Sequence, residues 1–209
     1  GLLNAEKAHK LSKEMPNIPK YDPFLFKLRR SMALLHDKLG NFKEGEKILY
    51  NAYKEVSCDS SSYEQKTGFE NLDLQEIILE ELVSLLMRRN EVSKAAKYAQ
   101  EDYENLIKKR KISPNHLCIG DTLARLAQLQ MCIENKGEEA DENMVKSLEI
   151  REQAFKNKDS ENAQEMKETI IADSLMMLSK IRESRDIITP ETEHLLLRAQ
   201  DIYQRNTVE

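Results

Sequence analysis

The sequence predicts an all-α protein built from consecutive antiparallel helix pairs. Three observations carry that expectation. The composition is that of helices: 209 residues with only six Gly and five Pro, 33% charged residues, and no alternating run of the kind strands need. Apolar residues recur with a period near 3.6, as on one face of an amphipathic helix. The clearest helix–turn–helix pattern, from Asp121 to Phe155, returns in weaker form before and after itself. A single hairpin of this kind cannot bury its own apolar face and needs neighbours.

In the central stretch, Leu123, Leu126, Ala127 and Ile133 form the first stripe, with Asp121 or Thr122 capping its start after Gly120. Asn135-Lys136-Gly137 breaks it with a residue that tolerates positive φ. Ala140, Met144, Leu148 and Phe155 form the second stripe. Ala127 and Ala140 are small enough to let the two helices approach closely, and Glu149, Arg151 and Glu152 are expected to face water.

The rest of the chain is read against this pair. Residues 4–15 form a short amphipathic helix with Ala5, Ala8 and Leu11 on one face, stopped by Pro16 and Pro19: a partial repeat or capping helix over 1–16. The pair over 22–57 opens on Asp22-Pro23, a cap followed by Pro at the first helical position. Phe24, Leu28, Met32, Leu35 and Leu39 lie on its first helix, with Ala33 as the small residue, and Gly40-Asn41-Phe42 is its turn. Gly45, Leu49 and Ala52 follow on the second helix, where Tyr50 and Tyr53 are placed against the next pair. Residues 57–70 are polar and read as a loop or an extended helix end.

The pair over 71–111 starts at Asn71 or Asp73, turns at Arg89-Asn90-Glu91, and carries Ala95, Ala96 and Ala99 on its second helix. Residues 156–168 are a charged link or the continuation of a helix. The last pair, 169–207, has Thr189-Pro190-Glu191 opening its second helix, with a capping Thr, Pro at the first position and an acid in the first turn.

Leu126-Ala127, a turn, Glu138-Glu139-Ala140 and then Ser147-Leu148-Glu149-Ile150-Arg151-Glu152 resemble a tetratricopeptide repeat, most like the kinesin-light-chain type. In the 22–57 pair the same signature is nearly complete, with Gly40 and Phe42 where the family has a Gly and an aromatic. The small positions Ala33, Val83, Ala127 and Ser179 are 50, 44 and 52 residues apart, against about 34 for the standard repeat. The kinesin-light-chain type also runs long. The resemblance implies one domain over 1–209, an all-α right-handed superhelix or α-solenoid of helix pairs, and a concave groove lined by first helices.

Carried over position by position, the groove takes Lys27, Arg30, Leu34 and Asp37 from the first pair, and Glu80, Ser84 and Met87 from the second. Arg125, Gln128 and Met131 come from the third, and Met176, Lys180 and Glu183 from the last. Their mixture of cations and apolar groups suits an extended or helical peptide with acids and one or two apolar anchors. Leu34 and Ser84 stand where chaperone-binding relatives have the Asn of a carboxylate clamp, so no chaperone C-terminus is expected to bind.

The expected function is therefore a non-enzymatic adaptor or scaffold that holds a protein or peptide partner. The alternatives are a structural subunit of a larger complex or homo-oligomer, and a non-catalytic regulatory domain of a larger enzyme. No cofactor, metal, nucleic acid or membrane is expected. His116-x-Cys118 with Cys132 is a poor zinc set, because no CxxC accompanies it. Net charge is −5, and the only basic cluster, Lys108 to Lys111, sits at a helix end. No apolar run of about 18 residues spans a bilayer. Three Cys, an odd number, point to a reducing compartment, cytoplasmic or organellar after removal of a targeting segment. The chain begins without Met, which is read as a fragment or a processed form.

Overall fold

The computed structural model describes residues 23–58, 70–156 and 161–206, together with the helical residues 3, 4, 7 and 10. Of the expected helix over 4–15, residues 4, 7 and 10 are helical; the rest of it and most of the 57–70 loop lie outside the described residues. Among the described residues there are eight helices and no strand. They are α1 (Pro23–Lys38), α2 (Phe42–Cys58), α3 (Glu70–Arg88), α4 (Val92–Glu104), α5 (Leu117–Met131), α6 (Gly137–Phe155), α7 (Glu161–Glu183) and α8 (Pro190–Asn206). A π-helical turn, Asn105–Lys109, closes α4 and carries part of the basic run. Sequential helices pack in adjacent pairs, so the chain is an all-α array of hairpins. It divides into two compact units, Gly1–Tyr98 and Ala99–Glu209.

Four turns share one backbone feature. Gly40, Asn90, Asn135 and Asp186 all have positive φ, between 56° and 79°, which Gly adopts freely and Asn and Asp adopt more readily than other residues. At three of them the bonds are those of a Schellman stop. The N–H of Asn41, Glu91 and Ile187 donates five residues back, to His36, Leu86 and Arg182. The α5–α6 turn differs. The helix stops at Met131, and the positive φ falls on Asn135 four residues later. Gly137 is instead the first residue of α6.

In the first unit, α1 and α2 approach closely at Ala33 and Gly45. A Cβ on Gly45 would lie 2.8 Å from the Ala33 carbonyl oxygen. Ala52, Tyr53 and Val56 of α2 bury against Ile78 and Leu79 of α3, and Tyr50 stacks on Tyr98 at 4.8 Å. Both tyrosines therefore pack on the following pair, as expected. Phe24 and Leu39, expected in the stripe of α1, are 60% and 62% exposed; Leu25 takes a buried place instead. Both lie near an end of α1, beside a turn or cap, where the opposing helix no longer covers them.

In the second unit, α5 starts at Leu117, not at Asp121 or Thr122. His116 is its cap, with Nδ1 accepting from the Cys118 N–H. Gly120 lies inside the helix and against α6, where Ser147 Oγ donates to its carbonyl at 2.6 Å. Ala127 and Ala140 are fully buried in one cluster with Met144, Ala172, Leu175, Ile181 and Ala199. Thr189 caps α8, its Oγ accepting from the Thr192 N–H at 3.3 Å. The described charged link is the start of α7, which begins at Glu161, eight residues before the expected pair.

Candidate functional site

The site expected from the sequence is the face of the first helices, α1 and α3 in one unit and α5 and α7 in the other. In the first unit, Lys27, Arg30 and Leu34 recur at helical spacing along α1, and Glu80, Ser84 and Met87 along α3. Lys27, Glu80, Ser84 and Met87 are exposed and Leu34 is half-buried. Arg30 is half-exposed and reaches Glu81 of α3 at 2.5 Å, tying the two first helices together. Asp37 has a different role. Its carboxylate accepts from Arg89 Nε at 2.8 Å, and Arg89 itself is only 8% exposed, with its guanidinium 4.8 Å from the Phe42 ring.

Beside this ion pair, Glu46 accepts from Lys94 and from the Tyr98 hydroxyl, both at 2.6 Å. Burial pushes its carboxyl upward, but these bonds and the Lys94 and Arg89 charges outweigh that and hold it below 4.5. The polar groups at the turn end of this unit are thus consumed in holding consecutive hairpins together.

In the second unit, Gln128 is exposed, Arg125 and Met131 are half-buried, and Lys180 is exposed. Met131, Met176 and Met177 pack against the core cluster; of these first-helix methionines and Met87, Met87 is the exposed one. Gln128 and Met177 share a cleft of about 190 Å³ with Ala124, Met144, Arg151, Ile170, Asp173 and Ser174. Arg125 and Lys180 are not among its lining residues. Met131 lines a wider depression at the turn end, with Cys132, Glu138 and Arg185.

Arg151, expected to face water, does not. It is 13% exposed and donates to Asp121 at 2.7 Å and to Ser174 Oγ at 2.6 Å. Ser174 in turn donates to the Ile170 carbonyl. One guanidinium therefore binds α5, α6 and α7 beneath the cleft. Glu152 is likewise paired, with Arg198 at 2.6 Å. At the margin, the Tyr203 hydroxyl donates to Asp173. Desolvation and this carboxylate push the hydroxyl up to about 12. No sequence signal marks Arg151, because its partners are 30 residues before it and 23 after.

His116 and Cys118 do meet, with Nδ1 3.0 Å from Sγ. Cys132 sits at the opposite end of α5, about 20 Å away at 1.5 Å per residue. It is exposed in the turn rather than packed in the core. The three residues do not converge, and no group of three metal-ligating side chains occurs among the described residues. No described helix is long and apolar enough to cross a membrane.

No family model matches the chain, and no curated protein matches it. Among solved structures it is similar to BtubC (BKLC) from P. vanneervenii. The identity is 14%, over 98% of this chain and 90% of that one, with a TM-score of 0.48. The fold described above stands on the helix packing itself.

Proposed function

We propose that the chain is a non-catalytic protein-interaction module, an adaptor or scaffold, that holds a segment of a partner protein on the faces of its first helices. One observation carries this reading. The ion pairs and stacked rings at the turn end of the first unit are buried or half-buried within the fold, while Lys27, Glu80, Ser84 and Met87 on the α1–α3 face are exposed. Cation, carboxylate, hydroxyl and thioether on one pair of rigid helices suit a peptide with polar ends and an apolar anchor. In the second unit the cleft beside Gln128 offers Met177 to a single apolar side chain. Arg125, Met131 and Lys180 flank this face, and Arg30 and Leu34 complete the first.

The test is capture from native lysate by the full chain and by two variants, with the bound partner identified and its minimal segment titrated in solution. Lys27→Glu with Met87→Asp alters the first face, and Gln128→Lys fills the second. All three residues are exposed, so helicity stays unchanged. A segment that loses affinity about tenfold or more on either variant supports the proposal. Partners that bind wild type and both variants equally overturn it.

A further inference from the structure

Three of the second helices share one register. With the buried small residues Ala52, Ser147 and Ala199 aligned, the acids Glu46, Asp141 and Glu193 occupy one position on α2, α6 and α8. Leu49, Met144 and Leu196 occupy the position one turn on, and Tyr50, Val145 and Leu197 the one beside it.

On α2 and α6 this face is covered by the next hairpin. Glu46 receives Lys94 at 2.6 Å, Leu49 is 1% exposed and Tyr50 stacks on Tyr98. Asp141 receives Arg182 at 2.9 Å, Met144 is 1% exposed and Val145 packs on the core. On α8 the same three positions are open. Glu193 is exposed, and Leu196 and Leu197 are 39% and 64% exposed.

We propose that this face of α8 is a docking site for an amphipathic α-helix of a partner protein, with an apolar ridge over Leu196 and Leu197 and a Lys or Arg set against Glu193. The fold shows this mode of covering twice, each time with a cation at the acid. A leucine pair in water gains by burial, at about 25 cal/mol per Å² of apolar surface. A charge at the edge fixes the register of the incoming helix. A second copy of this chain docked through its first helix pair does not meet the requirement. Where the covering hairpins carry Lys94 and Arg182, the first pair carries Glu44 and His36 at the matching turn positions. Glu44 would face Glu193, and His36 is buried.

The probe is a fluorescent synthetic peptide of residues 161–186, the segment that covers α6 and supplies Arg182. Its binding to the full chain is read by anisotropy at low salt. Saturable binding is expected, weakened about tenfold or more by Leu197→Asp and by Glu193→Lys. A peptide carrying Arg182→Glu restores binding to the Glu193→Lys chain. Both chain residues are exposed, so circular dichroism of the variants matches wild type. Three results overturn the proposal. They are absence of binding, binding indifferent to both substitutions (the peptide having replaced the chain's own α7), and self-association in sedimentation that Leu197→Asp abolishes.

Discussion

Replacing Arg89 by Met tests whether an ion pair holds the turn end of the first unit. Arg89 is 8% exposed and Asp37 17%, and the two meet at 2.8 Å. After substitution Asp37 keeps only the fringe of Arg88, whose Nε is 3.9 Å away. Breaking a fully buried pair by removing one partner costs about 3–5 kcal/mol. Asp37 retains some water and a second cation, which lowers this to about 2 kcal/mol. The lost cation–π contact with Phe42 adds about 0.5–1 kcal/mol, giving about 2.5–3 kcal/mol in all. For a chain of this length each kcal/mol moves Tm by about 2–4 °C, so calorimetry should show a drop of about 5–12 °C.

Asp37→Asn alone leaves Arg89 facing a neutral amide with Glu91 at 4.0 Å, and should cost about 1–2 kcal/mol. The double variant should cost less than the two single ones together, with a coupling of about 1 kcal/mol or more by urea denaturation. A Tm change under about 2 °C for Arg89→Met, or additive costs in the cycle, would refute the reasoning. Either result would mean that the pair is held by solvent rather than by the fold.

Gly45→Ala should destabilise by about 1–2 kcal/mol although Ala favours helix, because its Cβ meets the Ala33 backbone carbonyl at 2.8 Å and the helices must separate. Gly137→Ala meets only the Arg185 side chain, at 2.9 Å, which can swing aside. Urea denaturation should find it neutral or about 0.5 kcal/mol more stable. Tyr203 titrates at about 12 in the folded chain, against 10.0 for a tyrosine side chain free in water. The folded state therefore keeps a proton that the unfolded state releases. The associated stability is fully present below pH 10 and is lost as pH rises toward 12. Thermal melts at about pH 9 and pH 11 should show a steeper loss for wild type than for Tyr203→Phe; equal losses would discount the Asp173 contact.

The helix pairs were legible because their signals are local. A 3.6-residue stripe, a Thr-Pro-Glu start at 189–191 and the stops at Gly40 and Asn90 act over a few residues, and each is where the structure needs it. The boundaries that failed were those with competing local signals. Gly120 looked like a break before α5, yet it lies inside the helix because a side chain there would strike Ile150, at 3.2 Å from Cγ2. Within Asn135-Lys136-Gly137 the positive φ falls on Asn135, whose short polar side chain tolerates that conformation, while Gly137 opens α6.

What the sequence determined by itself was the class of structure and the spacing of its parts, since periodicity, capping and small close-packing residues are properties of single segments. What only the tertiary structure decided was which polar residues are paired inside the fold and which stay exposed. Arg151 and Asp37 look like surface positions when read alone, and become internal ties only because residues 23 to 52 positions away deliver partners to them. Leu196 lies in the apolar stripe of its helix and is still exposed, because burial depends on whether a further helix arrives. Charge pairing and exposure are relations between segments, and a pattern within one segment does not contain them.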